Sequence, residues 1–166
     1  KNISSAIDYE AELAVIIGKG GRGISKDKAM DHVWGYTIIN DVTARDLQGK
    51  YSQWLIGKSQ DTFCPMGPVA VTADSFDLAA ASVRCLVNGE KRQDQRFTDL
   101  IFDIPTLISY CSDWTPLVAG DVISTGTPEG VGFARKPPLW MKPGDVVEVE
   151  IDGGVGVLRN RIIAEA

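Results

Sequence analysis

The chain has 166 residues, of which 44% are hydrophobic and 23% charged, and its formal net charge is −5 at pH 7. These values are ordinary for a globular protein, and no cluster of Lys and Arg interleaved with aromatic residues is present, so we expect no nucleic-acid partner. The longest apolar runs, such as residues 13–17, are far shorter than the ~20 residues of a membrane-spanning helix, so we expect no membrane partner either.

The cysteines are three in number and widely spaced, and none belongs to a CxxC pair. This spacing supports neither a zinc site nor a disulfide framework. We expect Cys64, Cys85 and Cys111 to be small buried hydrophobic residues of a protein in a reducing compartment. The cytoplasm is the favoured location, and the mitochondrial matrix is the alternative.

The first half of the chain predicts two strands separated by a helix. Residues 8–17 alternate polar and apolar positions before becoming uniformly apolar, which predicts a strand that enters a core. Ser25 is placed to cap a short helix with one apolar face that ends at Gly35. Residues 36–39 predict a second strand that ends at Asn40-Asp41.

The second half predicts mostly β-structure. Residues 83–87 and 91–93 flank Asn88-Gly89, a strong hairpin signal. Asp103 and the following Pro105 predict the start of a helix that runs to about Ser112. The remaining predicted strands comprise residues 69–72, 121–125, 146–151 and 155–162. The pattern indicates an α+β fold that is mostly β, formed by a single domain.

Two glutamates on the first predicted strand are candidate metal ligands. Glu10 and Glu12 are two positions apart, so their side chains lie on one face of a strand. Carboxylates this close raise each other's pKa, and a divalent cation removes that conflict. Oxygen ligands favour Mg²⁺, Mn²⁺ or Ca²⁺ over zinc. The alternative is that both glutamates lie on a solvated strand face.

Further polar residues follow at points where strands or turns end. Asp41 ends an apolar strand and precedes Arg45 and Gln48, Lys58 follows a glycine, and Thr127 lies in a glycine-rich turn. Each has a simple structural explanation as a turn residue, an exposed ion pair or a solvated charge. Those explanations account poorly for the presence of all of them together.

Five segments together resemble the signatures of the fumarylacetoacetate hydrolase family, in the same order along the chain. They are DYEAELAVIIGKGGR, GYTIINDVTARDLQ, QWLIGKSQDTFCPMGP, VNGEKRQ and GDVISTGTPEGVGFARKPP. The resemblance spans essentially the whole chain. It implies a mixed β-roll with a few short helices, one Mg²⁺ or Mn²⁺ per site (with Ca²⁺ as a further option), and a homodimer.

The resemblance also implies roles for individual residues. By their positions in these motifs, Glu10, Glu12 and Asp41 are the implied metal ligands, and Lys58 is the implied catalytic residue. The residues implied to bind substrate are Arg45, Gln48 and Thr127, the last through its hydroxyl and neighbouring amides. Family members commonly add a histidine and a glutamate from an upstream segment. No such pair precedes Glu10, so we expect residues 1–166 to be a catalytic domain that lacks an upstream segment; the alternative is a chemistry that needs no such base. We interpret His32 as structural.

The expected chemistry is that of a small 2-oxo acid held by the cation, which stabilises an enolate. The favoured reactions are acylpyruvate hydrolysis and oxaloacetate decarboxylation, both of which break a C–C bond. A keto–enol tautomerase or isomerase on the same scaffold is one alternative, and a non-catalytic protein that binds a cation or ligand is another. A two-metal phosphatase would need more ligands than the sequence offers.

Overall fold

The computed structural model describes residues 4–164, which form ten strands and three short α-helices. The strands are β1 (Ile7–Asp8), β2 (Ala11–Ile17), β3 (Val33–Asn40), β4 (Thr43–Ala44), β5 (Met66–Thr72), β6 (Ser82–Val87), β7 (Glu90–Arg96), β8 (Val122–Ser124), β9 (Val146–Ile151) and β10 (Gly156–Arg161). The helices are α1 (Arg45–Lys50), α2 (Leu55–Lys58) and α3 (Ile104–Trp114), and 3₁₀ turns lie at Lys26–His32, Ala73–Ser75, Phe97–Asp99 and Gly132–Ala134.

Two four-stranded antiparallel sheets face each other across one hydrophobic core. The first has the order β5-β3-β2-β8 and the second β10-β9-β6-β7, while the short β1 pairs with β4. Strands β2 and β3 of the first sheet contact β6 and β9 of the second. Buried side chains of both sheets, among them Leu13, Ile38, Cys85 and Val149, fill the space between them. The predicted α+β, mostly β fold class is confirmed.

Two local predictions from the second half of the chain are confirmed. Asn88 and Gly89 join β6 to β7 with φ values of 53° and 78°, the left-handed conformation that a two-residue hairpin turn requires. Asp103 caps α3, where its side chain accepts a hydrogen bond from the backbone N–H of Thr106 at 2.8 Å. At both points, residues that are close together in the sequence are sufficient to predict the local structure.

The predicted helix between Ser25 and Gly35 is confirmed in part. A helix does begin directly after Ser25, but it is a 3₁₀ helix, Lys26–His32, which ends before Gly35, and the Ser25 side chain makes no capping hydrogen bond. Strand β3 already begins at Val33, which pairs with Ile17 of β2. The pairing with β2 explains the difference, since β-branched and aromatic residues such as those at 33 and 34 favour a strand once a partner is available.

Two further expectations need correction. The first predicted strand, residues 8–17, is divided into β1 and β2, and Glu10 lies just before β2. Of the three cysteines, all free, only Cys85 is buried, while Cys64 is exposed and Cys111 is partly exposed. Among residues 4–164 no helix is long and apolar enough to cross a membrane.

We predict that Gly35→Ala destabilises the fold. A Cβ atom at Gly35 would lie 2.1 Å from the carbonyl oxygen of Val71 in β5, and neither backbone can move without breaking the β3–β5 ladder. The expected loss is about 1–3 kcal/mol in the free energy of unfolding, measured by urea denaturation. Gly49→Ala is the control, because nothing lies within 4 Å of its Cβ position and alanine favours a helix such as α1. Equal stability of the two variants would contradict this account.

Candidate metal centre

The three predicted metal ligands lie together where β2 begins and β3 ends. Ala11 pairs with Asn40 across these antiparallel strands, and the backbone N–H of Asp41 donates to the carbonyl oxygen of Glu10 at 2.9 Å. One carboxylate oxygen from each of Glu10, Glu12 and Asp41 lies within 4.8 Å of the others. Glu10 is 7% exposed and Glu12 3%, which excludes the solvated strand face considered from the sequence.

Two positive side chains contact the carboxylate cluster. Arg45 Nη2 lies 2.6 Å from Glu10 Oε1, and Lys58 Nζ lies 2.7 Å from Glu10 Oε2. Lys58 Nζ also lies 2.6 Å from Asp41 Oδ2 and donates to the Thr43 hydroxyl at 3.1 Å. The Lys58 ammonium therefore bridges two of the three candidate ligands.

The position of Lys58 depends on the close approach of two short helices. A Cβ atom at Gly57 would lie 2.8 Å from the backbone nitrogen of Gln48 in α1, so glycine at this position lets α2 lie against α1. Burial lowers the pKa of Lys58, but its hydrogen bonds and charge interactions with Asp41 and Glu10 outweigh that effect and raise the pKa overall. Lys58 is consequently a protonated donor at neutral pH.

Glu12 is held from the opposite side by β8 and the turn after it. Its Oε2 accepts hydrogen bonds from Ser124 Oγ at 2.5 Å and from the backbone N–H of Gly126 at 2.7 Å. Burial raises the pKa of Glu12 to about 7, against the lowering effect of these hydrogen bonds, and the charges of Asp41 and Glu10 raise it further. A cation nearby would therefore favour the ionised form of Glu12.

Asp8 is a buried carboxylate that the sequence analysis did not identify as a site residue. It is fully buried, accepts hydrogen bonds from the backbone N–H groups of Gly132 and Phe133 at 2.7 and 2.9 Å, and pairs with Arg45 Nε at 2.9 Å. It therefore fixes the guanidinium that contacts Glu10. Its only sequence signal was an acidic residue within a segment predicted to enter the core.

The predicted substrate-binding residues border the same cavity as the ligands. All seven predicted site residues line a cavity of about 450 Å³, together with Trp54, Ser124 and Gly126, which the sequence analysis did not single out. Gln48 Oε1 accepts a hydrogen bond from Arg45 Nη1 at 3.1 Å. The Thr127 hydroxyl donates to the carbonyl oxygen of Ala11 at 3.1 Å and accepts from Gln93 Nε2 at 2.8 Å. The hydroxyl is therefore already bound to a backbone acceptor, and its contact with a substrate carboxylate stays a prediction.

The other candidate considered, His32, takes no part in this site. Its Nδ1 lies 2.7 Å from the carbonyl oxygen of Lys19, which agrees with its interpretation as a structural residue.

The donor set fits a hard divalent cation. All three candidate ligands offer carboxylate oxygens, the type that Mg²⁺, Mn²⁺ and Ca²⁺ prefer. The Lys58 ammonium already lies against two of them, so the cluster attracts positive charge. Glu10, Glu12 and Asp41 would hold the ion.

We predict that Glu12→Gln stabilises the metal-free protein above pH 7. Because the folded-state pKa of Glu12 is raised to about 7 from 4.5, folding takes up a proton between these values, and wild-type stability falls as pH rises through this window. The variant lacks that loss, worth about 3 kcal/mol. Urea denaturation between pH 4 and 8 measures the difference.

The same variant should lose the stabilisation that Mg²⁺ or Mn²⁺ gives the wild type, and the apparent metal affinity of the wild type should fall below about pH 7, since protons compete for Glu12. Glu90→Gln, on an exposed side chain, is the control and should keep the wild-type response to metal. A metal response retained by Glu12→Gln would remove Glu12 from the ligand set.

Comparison with known proteins gives consistent matches along the chain. The family model for the fumarylacetoacetate (FAA) hydrolase C-terminal region matches residues 1–163. The chain is 51% identical over 163 residues to oxaloacetate tautomerase YisK of Bacillus subtilis (strain 168), covering 98% of this chain and 54% of that protein. The chain thus spans about half the length of this relative.

Solved structures also resemble this chain in fold and in sequence. A fumarylacetoacetate hydrolase from Exiguobacterium antarcticum superimposes with a TM-score of 0.95 at 49% identity, over 98% of this chain and 58% of that one. Fumarylpyruvate hydrolase from Pseudomonas aeruginosa, in complex with Mn²⁺ and pyruvate, has a TM-score of 0.89 at 36% identity, over 99% and 69%. The chain belongs to the fumarylacetoacetate hydrolase family.

Proposed function

We propose that this chain is the core of a divalent-cation-dependent enzyme whose reaction is the keto–enol tautomerisation of a small 2-oxo diacid such as oxaloacetate. The observation that carries the proposal is the position of the Lys58 ammonium, 2.7 Å from Glu10 and 2.6 Å from Asp41. This places a protonated donor beside a cluster of three carboxylates that fits a cation. The name of the B. subtilis relative, an oxaloacetate tautomerase, favours tautomerisation over the C–C cleavage favoured from the sequence alone.

The cluster and Lys58 have complementary tasks. When bound, the cation supplies Lewis-acid stabilisation of negative charge on the oxygens of a 2-oxo acid. Lys58 donates a hydrogen bond or a proton to the oxygen on which that charge develops, as donors of an oxyanion hole do. Since its carboxylate partners raise its pKa, Lys58 acts as an acid, and the proton on carbon is removed by another group.

The other cavity residues bind and orient the substrate. The Thr127 hydroxyl is engaged with Ala11, so the donor that this turn offers a carboxylate is a backbone amide. Gln48 accepts from Arg45 through Oε1, which leaves its amide nitrogen to donate to the substrate. Arg45 binds a second substrate carboxylate by exchanging its contact with Glu10, while Asp8 holds the guanidinium in place.

C–C bond cleavage is the second candidate function. The fumarylpyruvate hydrolase that binds Mn²⁺ and pyruvate has a closely similar fold, and hydrolysis or decarboxylation of a 2-oxo acid develops charge on the same oxygen. Cleavage by hydrolysis additionally needs an activated water, which requires a base. The residues that bind the cation and substrate serve both reactions.

A metal-supplemented assay distinguishes these functions. Enol oxaloacetate is mixed with the chain and Mg²⁺ or Mn²⁺, and loss of the enol is followed by ultraviolet absorbance while pyruvate is measured separately. We expect cation-dependent loss of the enol that outpaces pyruvate formation. Pyruvate formation at the same rate as enol loss would favour the decarboxylase. In a parallel assay with fumarylpyruvate as the substrate, its consumption without enol turnover would favour the hydrolase. Binding of the cation and of oxalate without turnover of any substrate would favour the non-catalytic binding protein.

We predict that Lys58→Met lowers kcat by roughly 10²-fold or more, by analogy with loss of an oxyanion-hole donor. Its affinity for Mn²⁺ should not fall, because the ammonium competes with the metal for Glu10 and Asp41. Steady-state kinetics and Mn²⁺ titration followed by electron paramagnetic resonance measure the two effects. Lys50→Met, on an exposed residue of α1, is the control. A wild-type kcat in Lys58→Met would show that this ammonium only balances charge.

The homodimer implied by the family resemblance is also part of the proposal. Sedimentation velocity of the chain measures its mass in solution, and a monomer at micromolar concentration would contradict it.

A further inference from the structure

Gln93 is a buried residue whose side-chain amide contacts the segment and the turn that border the metal centre. It lies on β7 of the second sheet and is 2% exposed. Its Oε1 accepts a hydrogen bond from the backbone N–H of Ala11 at 3.1 Å. Its Nε2 donates both to the Thr127 hydroxyl and to the carbonyl oxygen of Pro128, each at 2.8 Å.

These contacts close a ring of hydrogen bonds. The Thr127 hydroxyl, which accepts from Gln93, donates in turn to the carbonyl oxygen of Ala11 at 3.1 Å. Ala11 thus has its N–H bound to Gln93 and its C=O bound to Thr127. Ala11 separates Glu10 from Glu12 in the chain, so the ring fixes the backbone between two candidate metal ligands.

The ring replaces strand pairing where β8 has ended. Strand β8 pairs with β2 only from Ala14 to Ile16. At Ala11, therefore, β2 has β3 on one side but, among the described residues, no strand on the side that β8 covers further along. Side chains supply the hydrogen bonds there instead of a strand. Gln93 accepts from the N–H of Ala11, and Thr127 donates to the C=O of Ala11. Buried backbone groups need such partners, since an unsatisfied one costs about 1–3 kcal/mol.

We propose that Gln93 is a positioning residue for the substrate carboxylate. Its amide spans from the ligand-bearing segment at Ala11 to the turn at Thr127 and Pro128, and so sets the distance between the cation and the turn amide that binds the substrate. The proposal rests on the proposed function, in which this turn contacts a 2-oxo acid. Gln93 acts through the turn and needs no contact with the reacting atoms.

A merely structural role makes a different prediction. Gln93 belongs to the second sheet, whereas Ala11 belongs to the first, so its hydrogen bonds also join the two sheets. If that were its only role, replacing it would lower the stability but leave ligand binding by the folded protein unchanged. Binding must therefore be measured on folded protein, separately from stability.

The test uses oxalate, a non-reacting mimic of a 2-oxo acid, titrated calorimetrically into the Mn²⁺-loaded chain. Gln93→Met keeps the side-chain length and removes all three hydrogen bonds. We expect it to weaken oxalate binding roughly 10- to 100-fold, the usual effect of losing a group that orients a metal site. Its Mn²⁺ affinity should change less than its oxalate affinity, since Arg45 and Lys58 still hold Glu10 and Ser124 still holds Glu12.

Gln95→Met is the matched control. Gln95 is two positions along the same strand and therefore on the same face. Among the described residues its side chain bonds only to Asp99, so its variant should bind oxalate as the wild type does. Gln93→Asn serves if the methionine variant does not fold, because it keeps the amide but is one methylene too short to reach Ala11 and Thr127 together. Circular dichroism and a thermal melt establish that each variant is folded at the titration temperature.

A double-mutant cycle with Thr127→Val tests whether Gln93 acts through the turn. If it does, Gln93→Met and Thr127→Val together lose much less than the product of their separate losses. Wild-type oxalate affinity in folded Gln93→Met or Gln93→Asn would overturn the positioning role, and so would fully multiplicative losses. A wild-type chain that binds Mn²⁺ but no oxalate would instead overturn the proposed function itself, and this role with it.

Discussion

Three carboxylates with oxygens within 4.8 Å of one another, two of them buried, repel each other strongly unless positive charge lies among them. Much of the architecture around the site meets that constraint. Lys58 contacts Glu10 and Asp41, and Arg45 contacts Glu10 from the other side. Among residues 4–164, the donors to Glu12 are neutral groups, and burial raises the pKa of its carboxyl to about 7. A bound cation would reduce the remaining repulsion among the carboxylates. Ion pairs and hydrogen bonds hold the three side chains in position.

Groups outside the carboxylate cluster also hold its residues and their contacts in position. Asp8 binds Arg45 and two backbone amides of the 3₁₀ turn near Phe133, so the residue that contacts Glu10 is itself anchored. Gln93 reaches from the second sheet to Ala11, between the two glutamates. The site therefore lies at the seam of the two sheets and depends on both, and a change in either sheet can alter chemistry without touching a ligand.

The names of the matched proteins include both an oxaloacetate tautomerase and a fumarylpyruvate hydrolase. Tautomerisation, decarboxylation and hydrolysis of 2-oxo acids share the need to stabilise negative charge on one oxygen. In the proposed function, the cluster and Lys58 meet that need. What separates the reactions is the group that moves a proton or activates water.

The sequence by itself determined whatever depends on near neighbours: the left-handed turn at Asn88-Gly89, the Asp103 cap of α3, and the chemistry of Glu10, Glu12 and Asp41, which the motifs placed in one site. Only the tertiary structure decided what depends on distant pairing. Val33 begins a strand because β2 lies beside it, Lys58 binds Glu10, which lies 48 positions away in the sequence, and Gln93 holds Ala11 across 82 positions. The physical reason is that a turn or a cap is set by contacts within a few residues, whereas the partner of a buried charge or amide is set by which strands the whole core brings together.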